Sequence, residues 1–100
     1  MSLGIPASPT DIVGFCRKWR IAELSLFGSV LTPDFRPDSD VDVLVVFVPA
    51  YSPSLEDWLA MEDELRAMFG REVDLVERQL IDNPFRRHHI LTNRRVLYAA

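Results

Sequence analysis

Apolar side chains recur along the chain with two different spacings, and the switches between them predict its elements. Ile12, Phe15, Cys16 and Trp19 fall three to four residues apart, the period of a helix that buries one face. Ser8-Pro9-Thr10-Asp11 precedes them as a start signal. Ser8 stands at the cap, Pro9 suits the first turn, and Asp11 is a weaker stand-in for the glutamate of a capping box. Residues 24–27, LSLF, read as a short buried strand, and VLVVFV at 43–48 as a second. Residues 49–53 hold two prolines and form a loop. A second helix start follows at Ser54-Leu55-Glu56-Asp57. That helix presents Leu55, Trp58, Leu59, Glu62, Leu65 and Phe69 at helical spacing and stops at Gly70, a suitable C-terminal cap. Trp58 and Phe69 therefore read as core anchors and not as base-stacking platforms, which need exposure. EVDLVE at 72–77 alternates polar and apolar residues like a strand, and a short helix and a last strand close the chain. The order is helix, strand, turn, strand, helix, strand, short helix, strand. It predicts a small α+β fold, a mixed sheet with helices packed on one side.

The 100 residues suit one domain over 1–100 with a single core. Hydrophobic residues make up 48% and charged residues 26%, an ordinary globular balance. No apolar run approaches the roughly 20 residues of a membrane span, and the first residues lack the order of a signal peptide, so a cytoplasmic protein is expected. Cys16 is the one cysteine; it has no internal disulfide partner, and its place in the apolar stripe makes it a small core residue. The net charge is −4, yet residues 78–100 carry Arg78, Arg86, Arg87, Arg94 and Arg95 against Asp82 alone. An acidic body argues against nucleic acid as the main partner, because that affinity comes mostly from cations neutralising phosphates. The basic end suits a nucleotide, an acidic partner surface, RNA, or simply solvent. His88 and His89 are adjacent; on a helix they point about 100° apart, which suits surface or partner contacts better than a shared metal.

The chemistry concentrates in the run from Gly28 to Asp42, GSVLTPDFRPDSDVD. Gly28 ends a strand with a residue that lets another group approach the backbone. Ser29 offers a hydroxyl and an amide at the start of a helical turn through Val30 and Leu31, whose free N–H groups would face an anion. Asp40 and Asp42 stand at alternate positions entering an extended strand and so project to one face. Two acids side by side repel each other unless a cation lies between them. Mg²⁺ takes oxygen ligands and commonly uses one or two carboxylates together with substrate phosphates. Asp74 sits amid Val73, Leu75 and Val76, and joins the pair if its strand lies beside theirs. Three acids, two metals and a nucleotide make a two-metal site for in-line displacement at phosphorus. Each acid alone would pass for a solvated charge; the joint arrangement points to chemistry. Asp34 and Asp38, in a proline-punctuated loop, read as turn and cap residues.

Gly28-Ser29, ten intervening residues, Asp40-Val41-Asp42 and the later Asp74 resemble the minimal nucleotidyltransferases of the polymerase-β-like superfamily. The likeness extends over LFGS, SDVDVLV, the following helix, GREVDLV, RRHHIL and VLY. It implies a palm-like nucleotidyltransferase fold and an ATP-dependent enzyme. By the same resemblance Gly28 and Ser29 hold the triphosphate, Asp40 and Asp42 bind two Mg²⁺ ions, and Asp74 binds the ion that activates the acceptor hydroxyl. It also implies an antitoxin that transfers AMP from ATP to a hydroxyl, a tyrosine, of a HEPN-domain partner. The chain departs from the pattern at Thr32-Pro33, where members often carry a basic residue. Two other readings use the same residues: a module that neutralises its partner by masking, and a transferase acting on a small molecule or an RNA 3′ end. The latter normally has a further acceptor-binding domain.

Overall fold

The computed structural model describes residues 8–33 and 39–100. The elements follow the predicted order: α1 (Pro9–Lys18), β1 (Ile21–Phe27), a 3₁₀ turn (Gly28–Leu31), β2 (Val41–Phe47), α2 (Leu55–Phe69), β3 (Val73–Glu77), a second 3₁₀ turn (Arg78–Leu80), α3 (Pro84–Thr92) and β4 (Arg94–Ala99). Local chemistry explains the helix ends. Ser8 Oγ accepts the Asp11 N–H at 3.2 Å, and Ser54 Oγ accepts the Asp57 N–H at 3.1 Å, each satisfying one of the unpaired donors of a first turn. Gly70 closes α2 in the left-handed region at φ 66°. α3 is started by Asn83, whose side-chain oxygen accepts the N–H groups of Phe85 and Arg86, a cap followed by proline that the sequence carried openly.

The four strands form one mixed sheet in the order β3-β2-β1-β4. β1 runs antiparallel to both β2 and β4, whereas β3 runs parallel to β2. A parallel neighbour requires a crossover, and α2 is that crossover. Ile12, Phe15 and Cys16 of α1 and Met61, Leu65 and Phe69 of α2 pack on the sheet face made by Leu24, Leu26, Val41, Val43 and Val45. Cys16 is fully buried there, and burial pushes its thiol up to about 12. The end of α1 is tied to α2 through Glu64, which accepts from the Trp19 indole N–H at 2.8 Å and from Lys18 Nζ at 2.9 Å.

The mixed sheet with its longer helices on one side is as expected, and two details differ. α3 lies on the opposite face, where Ile81 and Ile90 cover Phe27 and Leu44 in a second, smaller cluster. The α2 stripe is also rotated: Leu55 and Leu59 are 74% and 51% exposed, while Met61, Leu65 and Phe69 are buried. At about 100° per residue, Leu55 and Leu59 lie roughly 80–120° around the helix from Leu65. Trp58 remains half-buried with its ring tilted against Phe47, centroids 6.4 Å apart. Among the described residues no helix is long and apolar enough to cross a membrane.

Candidate active site at one end of the sheet

Asp42 is the second residue of β2 and Asp74 the second residue of β3, and the parallel register sets them directly opposite each other. Their neighbours Val41, Val43, Val73 and Leu75 all point into the main core. Alternation therefore turns both carboxylates to the other face, the face that carries Phe27 and Leu44. Asp40 lies two residues before Asp42, just outside the strand, and is exposed, as is Asp74; Asp42 is half-buried. Adjacent strands are about 4.8 Å apart, so the pairing holds two like charges together without any help from the loop between them.

Gly28 joins this group from the third strand. Phe27, the last residue of β1, pairs with Asp42, and Gly28 follows at φ 76°, in the region that favours glycine. A Cβ at this position would collide with Asp42 Oδ2 and would stand 3.1 Å from Asp42 Cγ. The close approach that the glycine permits is thus first of all that of the Asp42 carboxylate. Ser29 is half-buried at the head of the 3₁₀ turn. Its carbonyl accepts both the Thr32 N–H at 3.0 Å and the Thr32 hydroxyl at 2.9 Å. Thr32 closes the turn without bringing a charge to it. Asp34 and Asp38 lie outside the described residues.

The electrostatics single out Asp42. Burial raises its proton affinity above that of an ordinary carboxylate, the charges of Asp74 and Asp40 raise it further, and Arg86 opposes them. Among the described residues no three His, Cys, Asp or Glu side chains form a ready-made metal cluster. The donor chemistry nevertheless suits a hard divalent cation: three carboxylates share one sheet end, and the one most confined bears the repulsion of the other two.

A cleft of about 660 Å³ opens beside Gly28. Phe27, Gly28 and Thr32 line it from the sheet side, and Arg86, His89 and Arg94 from α3 and the start of β4. His89 is a surface histidine, as expected, yet it faces this cleft. Arg94 is held by Glu23, Nη1 to Oε2 at 2.7 Å. The concentration of arginine in residues 78–100 signalled these groups, but only the packing of α3 on Phe27 and Leu44 brings Arg86 and His89 to the Gly28 side. A second cleft of about 510 Å³, lined by Val46, Arg78, Gln79 and Arg87, lies farther along β2.

Residues 12–97 match the family described as nucleotidyltransferase domain. The protein adenylyltransferase MntA of Thermococcus cleftensis is 39% identical over 59 residues, 59% of this chain and 58% of MntA; the match thus spans under two thirds of that relative. A crystal structure of a toxin–antitoxin with AMP-PNP superposes with a TM-score of 0.72 at 19% identity, over 93% of this chain and 74% of the other. A structure of a tri-AMPylated Shewanella oneidensis HEPN toxin in complex with its MNT antitoxin superposes with a TM-score of 0.61 at 19% identity, over 92% and 70% of the two chains. At that identity the two structures speak for the shared fold.

Proposed function

The chain belongs to the nucleotidyltransferase domain family, and from that premise we propose that it is a Mg²⁺-dependent protein adenylyltransferase that transfers AMP from ATP to a hydroxyl of an associated HEPN-type protein, a tyrosine by likeness to the family, and acts as its antitoxin. The observation that carries this reading is the in-register Asp42–Asp74 pair set against the Gly28 turn at the mouth of a cleft. The relatives supply the rest: MntA is named a protein adenylyltransferase, and a neighbour of the same fold was crystallised with an AMPylated HEPN toxin.

In the proposed reaction the acceptor oxygen forms a bond to the α-phosphorus, the bond from that phosphorus to the bridging oxygen breaks, pyrophosphate leaves, and the hydroxyl proton is released. Asp40, Asp42 and Asp74 are the residues that would hold two metal ions, which when bound supply charge neutralisation at phosphate and activation of the hydroxyl. Gly28, which lines the cleft, leaves room for the Asp42 carboxylate beside it, where a Cβ would collide. Thr32 holds the Ser29 carbonyl, and the Ser29 amide and hydroxyl, at the head of the turn, are the groups that would receive phosphate. Nothing in these residues reads a base; ATP is assigned by likeness to the relatives.

Intact-mass spectrometry of the cognate partner, mixed with substoichiometric protein, ATP and Mg²⁺, tests the reading. The expected result is an AMP adduct on excess partner and loss of its toxicity, both abolished by Asp42→Asn. The masking alternative draws on the uncharged Val30-Leu31-Thr32-Pro33 segment; it requires one copy per partner, ignores ATP and leaves no adduct.

A further inference from the structure

A cleft that takes ATP must accommodate a polyanion next to three carboxylates, so it needs cationic side chains as well as metal. The Gly28–Leu31 turn and the following Thr32-Pro33 bring none. Of the arginines that line the cleft, Arg94 is already engaged by Glu23, both side chains being only 22% exposed. Arg86 differs in each respect. Its backbone N–H is taken by the Asn83 cap, which fixes it in the first turn of α3. Arg86 lines the cleft with Gly28, and its guanidinium makes no ion pair among the described residues. Its charge bears on Asp42, opposing the two neighbouring carboxylates. The adjacent Arg87 is committed elsewhere: its Nη2 donates to the Ile81 carbonyl at 2.6 Å, and it lines the second cleft.

We propose that Arg86 is, among the described residues, the cation that binds triphosphate, delivered from α3 on the far side of the cleft where the turn from Gly28 to Pro33 has no basic residue. The inference rests on the adenylyltransferase reading for its ligand. A guanidinium suits the role because its planar fork of donors matches phosphate oxygens two at a time. Placed on a helix pinned by Ile90 in the second apolar cluster, it is held by packing and not by the loop.

Calorimetric titration with Mg²⁺–ATP and with AMP, on the wild type, Arg86→Ala, Arg86→Lys and Arg87→Ala, tests this. Arg86→Ala should bind ATP about tenfold or more weakly, the scale of a lost charge-assisted hydrogen bond, and AMP within about threefold of wild type. Arg86→Lys should recover part of the loss, and Arg87→Ala should bind like wild type. Because the Arg86 side chain is exposed, Arg86→Ala should melt with the wild type. Wild-type ATP affinity in Arg86→Ala, equal losses for ATP and AMP, an equal loss in Arg87→Ala, or no ATP binding by the wild type would each overturn the assignment. Wild-type ATP binding without transfer to any partner would defeat the transferase reading alone, and the titrations would still decide Arg86.

Discussion

Replacing Gly28 by alanine adds a methyl group where the backbone already meets Asp42, and its cost divides into two separable parts. The first is conformational. At φ 76° a residue with a Cβ costs about 1–2 kcal/mol relative to glycine. The second is steric, because the new Cβ collides with Asp42 Oδ2 and lies 3.1 Å from Cγ, while the Asp42 Cβ itself is 3.5 Å away. Turning the half-buried carboxylate off its rotamer adds about 0.5–1.5 kcal/mol. Gly28→Ala should therefore cost roughly 2–3 kcal/mol, or about 10–20 °C in Tm for a domain of this size. In an Asp42→Ala background only the 3.5 Å contact remains, an ordinary van der Waals separation, so the same change should cost about 1–2 kcal/mol. Chemical denaturation of the wild type, both single mutants and the double mutant closes a thermodynamic cycle whose coupling is expected near 1 kcal/mol. Strict additivity would refute the contact between the glycine and the carboxylate, and an unchanged Tm in Gly28→Ala would refute the left-handed backbone as well.

Asp42→Asn should abolish transfer yet melt at or above the wild-type temperature at neutral pH. The raised proton affinity of Asp42 means that the folded state holds its proton more tightly, so the wild type loses stability as pH rises through the carboxylate range, whereas asparagine does not. The advantage of the mutant should therefore vanish on acidification below about pH 4, and a mutant that melts lower at neutral pH would contradict the crowding of charge. ATP should bind weakly when Mg²⁺ is withheld, since the ion would bridge the carboxylates and the phosphates; equal calorimetric affinity with and without Mg²⁺ would remove the role given to Asp40, Asp42 and Asp74. Glu64→Gln should cost about 1 kcal/mol in urea melts through the weakened Trp19 bond, with little from the exposed Lys18 pair. It should leave turnover intact because Glu64 lies on the α1–α2 side of the sheet, and a large loss of activity would show that the two faces are coupled.

What was legible in the amino-acid order is what acts within a turn or a strand. Ser8 and Ser54 bond N–H groups three residues ahead, Gly70 ends its helix by its own backbone freedom, and Cys16 follows the apolar stripe of α1 into the core. The spacing of Gly28-Ser29, Asp40 and Asp42, with Asp74 in a later alternating strand, marked the candidate site because period two decides which face a strand residue takes. The tertiary structure alone decided the rest. The parallel pairing of β2 with β3 set Asp42 opposite Asp74, a registration fixed by the α2 crossover and by burial of Val41, Val43, Val73 and Leu75 on one face. The same sheet rolled α2 toward Met61, Leu65 and Phe69 and left Leu55 and Leu59 in solvent, since which of two adjacent helical stripes is buried depends on what lies beneath it. α3 crossed to the opposite face because Phe27 and Leu44 needed cover there, and that placement made neighbours of Arg86 and Gly28, 58 positions apart in the chain. No local pattern encodes such a meeting, because the free energy that sets it comes from apolar area removed from water between segments distant in sequence.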